Sequence, residues 1–318
     1  MTEAGGHSHP VDAGSDARRV TAALALILAF MAAEVVTGVL AHSLALLSDA
    51  AHMLTDAGAL ALSLITLRLV ARPAAGNLTF GLKRMDALSA QANGLTLLVL
   101  AGLIVYEGVE RLVSPPQPAG LAVLVVAVAG IAVNLLASRQ LAKANRQSLN
   151  IEGSFQHVLT DLAAFIATAI AGAVILITGF HRADGIASLL IAAIMLKAAY
   201  GLLRDSGRVF LEAAPRGLDP DEIGQAMAAV ADVVEVHDLH VWEVTSGFPV
   251  LSAHVDVADT LGAEQRNDLL DRLTRLLDTR FGIHHTTIQL ECALCDTDGL
   301  FCALARRPAK TSELEATL

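Results

Sequence analysis

The sequence predicts an α-helical membrane protein with six transmembrane helices, followed by a smaller α+β domain. The first two thirds of the 318-residue chain hold six apolar runs, each with the roughly 20 residues that a bilayer core requires. Charged residues are 17% of the chain, below the roughly 25% usual in soluble domains, and the deficit falls in this front part. The last third has the mixed helical and strand-like patterns of a soluble domain.

Short polar connections separate the six apolar runs, and the Pro-rich segment 114–118 breaks the chain between the third run and the fourth. Spans two and five carry ionisable residues in otherwise apolar surroundings. The predicted spans are 20–41, 45–70, 87–109, 120–140, 152–179 and 184–203.

Basic residues predict the orientation of these spans. The connections on one side of the predicted spans carry many basic residues, whereas those on the other side carry only Arg111 and Arg182. Because lysine and arginine concentrate in cytoplasmic loops, we expect both termini in the cytosol. The short outer connections, and a short connection without a histidine tract between spans four and five, favour the cell membrane. The start of the chain is too polar for a cleavable signal peptide. The basic side carries Arg18, Arg19, Arg72, Lys83, Arg84, Arg139, Lys143, Arg146, Arg204 and Arg208.

After Phe210 the chain predicts a cytosolic domain with the element order α-β-β-α-β. A Pro and several acids start its first helix, and Ser246-Gly247 favours a hairpin between the first two strands. The predicted elements are a helix at 219–231, strands at Val233–Thr245 and Pro249–Val257, a helix at Ala263–Phe281 and a strand at His284–Glu291. The predicted organisation is a flexible N-terminus at 1–18, a transmembrane domain at 19–208, the α+β domain at 209–296 and a weakly ordered tail at 297–318.

Two matched motifs place a histidine and an aspartate four residues apart in separate spans, at His52/Asp56 and His157/Asp161. Positions i and i+4 lie on one face of a helix, so two facing helices would present four ligands for a tetrahedral divalent cation such as zinc. An aspartate in the bilayer centre costs about 2.5–3.5 kcal/mol on insertion scales, which argues for a functional role. The alternative is that these groups only join helices through hydrogen bonds. The repetition in two spans favours the metal site.

Other polar residues of the spans are candidates for supporting roles. Asp49, one turn before His52, either steers ions as a gating or supporting residue or caps the helix near the interface. Asn93 in span three is a second candidate for this supporting or gating role.

A second zinc site is possible near the chain ends. Cys292 and Cys295 form a C-x-x-C pair, and the N-terminus offers His7 and His9. Two thiolates and two imidazoles complete a tetrahedron, although an incidental thiol pair is an equally simple interpretation.

The same sequence argues against an enzyme. It has no H-E-x-x-H motif, no nucleophile elbow and no Walker sequence, and its net charge of −10 without a basic patch argues against nucleic-acid binding. A membrane-anchored metal sensor is the alternative to a protein that passes metal ions across the bilayer. The sensor would keep working after Asp56→Ala, whereas a protein that moves metal ions would lose metal efflux.

Several segments together resemble a known family. They are Ser43–Asp56, Phe80–Arg84, Tyr106–Leu112, His157–Asp161, Val236–Trp242 and Ser252–Val255. In this combination, from about residue 18 to 292, the chain is similar to the cation diffusion facilitators, which are zinc transporters. The resemblance implies a homodimer in the lipid bilayer that exchanges cytosolic Zn²⁺ for protons by alternating access, with a metallochaperone-like cytosolic domain.

The resemblance also implies site residues. The transport-site positions are His52, Asp56, His157 and Asp161, and the two histidines favour zinc, with Cd²⁺, Co²⁺ and Ni²⁺ left open. A regulatory zinc site in the cytosolic domain would use His237, His254, Glu291 and one of His284 and His285, because a strand alternates faces. If the family does not apply here, these are ordinary surface or core histidines. Arg84 and Asp205 match a charge pair that locks the dimer interface.

Overall fold

The computed structural model describes residues 13–40, 44–114, 120–258 and 260–292. The chain divides into two compact units. The first is the membrane unit, up to Leu211 together with Val244–Gly247, and the second is the C-terminal unit, formed by the remainder from Glu212 onward.

The membrane unit contains six helices that are long and apolar enough to cross a bilayer, as the sequence predicts. The last helix continues beyond the predicted end at 203, because hydropathy marks the edge of the apolar run rather than the end of the helix. The helices are α1 Ala13–Leu40, α2 Leu44–Val70, α3 Met85–Val113, α4 Gly120–Ala142, α5 Leu149–Thr178 and α6 Ala183–Phe210.

Helices α1, α2, α4 and α5 share one apolar core, in which Ile27, Met53, Leu60 and Leu141 are almost completely buried. Helix α3 packs against α6 around a second core that includes Leu97. Helix α5 contacts α2, α3, α4 and α6. Side chains on α5 are therefore positioned by neighbours on several sides.

Small residues let α3 and α6 approach closely. A Cβ atom added at Gly185 would lie 2.9 Å from the carbonyl oxygen of Gly108. Such small-residue contacts are typical of packing between helices in membranes, where close backbone approach replaces the hydrophobic driving force.

A polar network fixes the start of α5. Ser148 caps the helix and donates to Asp86 on α3 at 2.5 Å, while Asp86 also accepts from the backbone N–H of Leu149 and of Asn150. The Asn150 side chain donates to the Ser63 carbonyl on α2 at 3.1 Å. A carboxylate at a helix N-terminus satisfies N–H groups that have no partner inside the helix. The network thereby ties the first turn of α5 to α2 and α3.

An ion pair joins the connection before α5 to the first turn of the helix. The Arg146 guanidinium donates twice to Glu152, at 2.7 and 3.1 Å, and lies 4.0 Å from the Phe155 ring centroid. This hydrogen bonding to Glu152 raises the pKa of Arg146 above its usual value. Arg146, which precedes α5, therefore also fixes the position of the first turns of this helix.

The C-terminal unit has the predicted element order. The observed elements are α7 Pro220–Ala228, β1 Val233–Glu243, β2 Pro249–Val257, α8 Ala263–Phe281 and β3 His285–Cys292. The sheet order is β1-β2-β3, with β1 antiparallel and β3 parallel to β2. Both helices cover one face of the sheet, and the core between them is built from apolar side chains such as Leu251, Val255 and Leu273.

Candidate metal sites

Helices α2 and α5 bring three of the predicted transport-site residues together. The His157 Nε2 atom lies 2.8 Å from Asp56 Oδ1 and 3.9 Å from Asp161 Oδ2. One ligand atom from each residue lies within 4.8 Å of the others. Asp56 and Asp161 each come 12 residues after the start of their helix, or about 18 Å along it, so the cluster sits near mid-helix. We call these three residues the membrane cluster.

The membrane cluster is enclosed. Asp56, His157 and Asp161 are 4%, 1% and 8% exposed. The Nδ1 atom of His157 has no hydrogen-bond partner among the described residues. Burying polar groups in this way is costly unless they bind a partner, and an imidazole with two carboxylates is a suitable donor set for zinc. This arrangement can hold a divalent cation.

The described side chains of the membrane unit do not include those of His52 and Asp49. The backbone of α2 is helical through both positions, so position 52 lies one turn from Asp56 on the same face. Asn93 on α3 is 1% exposed, and its amide nitrogen lies near Gly153 of α5. Its supporting role stays a prediction.

A second group of potential ligands lies in the C-terminal unit. His237, His254 and Glu291 place one ligand atom each within 4.8 Å of the others. His254 Nδ1 is 3.1 Å from Glu291 Oε1, and His237 Nε2 is 3.9 Å from Glu291 Oε2. We call these residues the sheet cluster. Asp256, 3.7 Å from His237 Nε2, was missed by the sequence reasoning, although its position two residues after His254 on one strand face was a usable signal.

The structure does not bring His284 or His285 into the sheet cluster. His284 precedes β3, and its Nδ1 atom lies 2.5 Å from Asp278. His285 is on the same strand face as Glu291, but six residues of strand separate them by about 20 Å. His285 instead lies beside the Phe248 ring.

The remaining predicted groups are only partly described. His7, His9 and Cys295 lie outside the described residues, and the Cys292 side chain is also outside them. Arg84 directly precedes α3, and Asp205 near the end of α6 lies 3.2 Å from the neighbouring Arg204. The shared zinc site and the charge pair at a dimer interface stay predictions.

Comparison with known proteins agrees with these features. Residues 20–211 match the cation efflux transmembrane domain, and residues 215–293 match the cation efflux protein cytoplasmic domain. The cation efflux system protein CzcD of Alcaligenes sp. (strain CT14) is 41% identical over 292 residues, covering 92% of this chain and 91% of that protein.

Two further relatives differ in the cations that their names give. The zinc transporter ZitB of Escherichia coli (strain K12) is 38% identical over 296 residues, covering 91% of this chain and 93% of that protein. The cadmium, cobalt and zinc/H(+)-K(+) antiporter of Bacillus subtilis (strain 168) is 34% identical over 288 residues, covering 90% of this chain and 92% of that protein.

Six candidate spans, a buried group of potential cation ligands and the match to the cation efflux transmembrane domain together identify a multi-pass membrane transporter of cations, which is not an enzyme class. More particularly, the chain belongs to the cation diffusion facilitator family of cation efflux proteins.

Proposed function

We propose that the protein exports divalent cations, with Zn²⁺ as the first substrate, from the cytosol across the cell membrane in exchange for protons. Both termini face the cytosol, two copies form a homodimer, and transport proceeds by alternating access. The names of relatives that transport zinc, and of one that exchanges zinc for H⁺ and K⁺, support this choice. The match to a cytoplasmic dimer domain supports the homodimer.

One observation carries the proton coupling. The 2.8 Å contact between His157 Nε2 and Asp56 Oδ1 is a hydrogen bond, which requires a proton between these two atoms. A metal ion needs the unprotonated imidazole nitrogen and the ionised carboxylate. The ion and the proton therefore compete for the same two atoms, so loading one expels the other.

The sheet cluster supports a regulatory role. His237, His254 and Glu291 are contributed by three different strands of the C-terminal unit, and His237 is 3% exposed with both ring nitrogens unpaired among the described residues. A zinc ion bound here would favour whichever transport state binds it more tightly, and that differential affinity is the coupling.

Proteoliposomes test the proposed transport. The purified protein is reconstituted with a zinc indicator on one side, and initial zinc flux is measured with and without a pH gradient. We expect flux to rise when the acidic side is the one that receives zinc, and alkalinisation of that side to accompany zinc movement. Zinc flux that is indifferent to the pH gradient would contradict proton exchange.

A further inference from the structure

Asp256 lies on a face of the sheet where burial of an acid is unexpected. On β2, Leu251, Ala253, Val255 and Val257 belong to the core beneath the helices. Since side chains alternate along a strand, Asp256 points to the opposite face, which neither helix covers. It is nevertheless only 3% exposed.

His237, which lies beside Asp256, is equally buried and also lacks hydrogen bonds on its ring nitrogens among the described residues. Asp256 Oδ1 and both ring nitrogens of His237 have no hydrogen-bond partner among the described residues. The 3.7 Å between Asp256 Oδ1 and His237 Nε2 is too long for a hydrogen bond. A buried donor or acceptor left without a hydrogen bond destabilises the folded protein, and more so if it is charged. A third group that binds both Asp256 and His237 would remove this destabilisation.

A divalent cation fits the gap. Zinc binds imidazole nitrogen and carboxylate oxygen at about 2.0–2.2 Å, so two ligand atoms in a tetrahedron are about 3.4 Å apart. His237 Nε2 lies 3.7 Å from Asp256 Oδ1 and 3.9 Å from Glu291 Oε2, and His254 Nδ1 lies 3.1 Å from Glu291 Oε1. These distances bracket the tetrahedral value for His237, His254 and Glu291, whose ligand atoms all lie within 4.8 Å of one another. Asp256 is outside that group and approaches His237 alone, so its carboxylate must turn toward His254 and Glu291 to complete the set around one ion.

The strand register explains why these four residues meet. His237 on β1 is paired with His254 on β2, and Asp256 on β2 is paired with Glu291 on β3. Directly paired residues share a face of the sheet, and His254 and Asp256 share a face because they are two residues apart. The four side chains therefore occupy one face as two adjacent cross-strand pairs.

We propose that Asp256 is a direct metal ligand that completes, with His237, His254 and Glu291, a four-donor cation site within one protomer. The inference rests on the regulatory zinc site proposed above and adds a ligand to it. A closed set of two imidazoles and two carboxylates is typical of a site that holds Zn²⁺ or Co²⁺ rather than one that leaves a position open for chemistry. The site needs no residue from a second copy.

Zinc titration of the full-length protein is the first test, in a background where Asp161→Ala disables the membrane cluster and Cys292, Cys295 and Cys302 are changed to Ser. We expect Asp256→Asn to weaken zinc binding at the sheet cluster by about 100-fold, which is roughly one ligand's share of the affinity of a four-ligand zinc site. The matched control is Asp271→Asn, an exposed acid on α8, which should bind zinc as the parent does. Unchanged affinity in Asp256→Asn would overturn the proposal.

Cobalt spectroscopy separates a ligand from a neighbour. In the same background, with Cys292, Cys295 and Cys302 changed to Ser, Asp256→Cys should produce the near-ultraviolet cobalt–thiolate charge-transfer band, which appears only when sulfur binds the metal. His237→Cys is the reference for the regulatory site itself. A band in His237→Cys but none in Asp256→Cys removes Asp256 from the site and leaves the regulatory site standing. Absence of the band in both variants overturns the regulatory site together with this inference.

Discussion

The two clusters use the same ligand chemistry, but two of the three residues of the sheet cluster are more exposed than any described residue of the membrane cluster. In the membrane cluster the three described residues are at most 8% exposed, and the imidazole is already hydrogen-bonded to Asp56. In the sheet cluster the side chains of His254 and Glu291 are 31% and 17% exposed, and His237 stands 3.7–3.9 Å from its acidic neighbours. The residue types are shared, so the surroundings make the difference.

This contrast indicates two uses of one donor set. Where the ligands contact each other directly, a proton holds the site together without metal, and an incoming ion must displace it. In the sheet cluster, His254 and Glu291 are 3.1 Å apart, but His237 Nε2 is too far from Asp256 and Glu291 for a hydrogen bond, so an ion would be needed to join His237 to its neighbours. The first arrangement fits the proton exchange proposed for the membrane cluster, whereas the second fits the regulatory binding proposed for the sheet cluster.

The largest expected effect comes from the membrane cluster. His157→Ala removes the central ligand and the proton-bearing atom, so zinc flux in proteoliposomes should fall by about 100-fold or more, from the per-ligand share of zinc binding energy. His181→Ala, at an exposed histidine just after α5, is the matched control and should transport normally. If both variants keep full flux, the membrane cluster is not the transport site.

A smaller and different effect is expected in the sheet cluster. Glu291→Ala should leave maximal flux near the parent value but raise the zinc concentration that gives half-maximal flux, by about 10-fold or more given the effects seen around metal ligands. Flux measured over a zinc series checks this. A collapse of maximal flux equal to that of His157→Ala would erase the distinction between the two clusters.

Helix packing behind the membrane cluster offers a stability test. A Cβ at Gly130 of α4 would lie 2.5 Å from the Phe165 ring, one turn beyond Asp161 on α5. Gly130→Ala should therefore destabilise the membrane unit by about 1–3 kcal/mol through overpacking. Gly172→Ala on α5 has open space around its Cβ and should be neutral or slightly stabilising. Thermal unfolding in detergent compares them, and equal midpoints would show that this packing does not constrain α5.

The smallest expected effect is at the start of α5. Ser148→Ala removes the N-cap that accepts from Ile151 N–H and donates to Asp86, at a cost of about 1 kcal/mol. Unfolding midpoints measure the loss, and zinc flux should persist. Loss of flux without loss of stability would mean that the cap acts on the membrane cluster rather than on the fold.

The sequence predicts the helical scaffold and the spacing of His157 and Asp161 because both depend on local periodicity. Residues in a span must be apolar, so exceptions at i and i+4 are conspicuous. The direct contact between His157 and Asp56 was less accessible, since it depends on the relative register of α2 and α5. The extension of α6 past residue 203 was missed because its last turns are polar.

The sheet cluster shows where sequence reasoning stops. His237, His254 and Asp256 come together through strand pairing across a hairpin, and no linear spacing encodes it. His284 and His285 attract attention as a pair, but the start of β3 places them far along the strand from Glu291. The spacing of His254 and Asp256 on one strand indicates a shared face, but the burial of Asp256 and its proximity to His237 are known only from the structure.

A zinc-edge anomalous difference map of the full-length protein soaked in zinc tests the central claim most directly. The account predicts a peak in the membrane cluster within about 2.0–2.2 Å of His157 Nε2 and of carboxylate oxygens from Asp56 and Asp161. It also predicts that this peak disappears in His157→Ala while the peak in the sheet cluster remains. A map with zinc in the sheet cluster and none between α2 and α5 would contradict it.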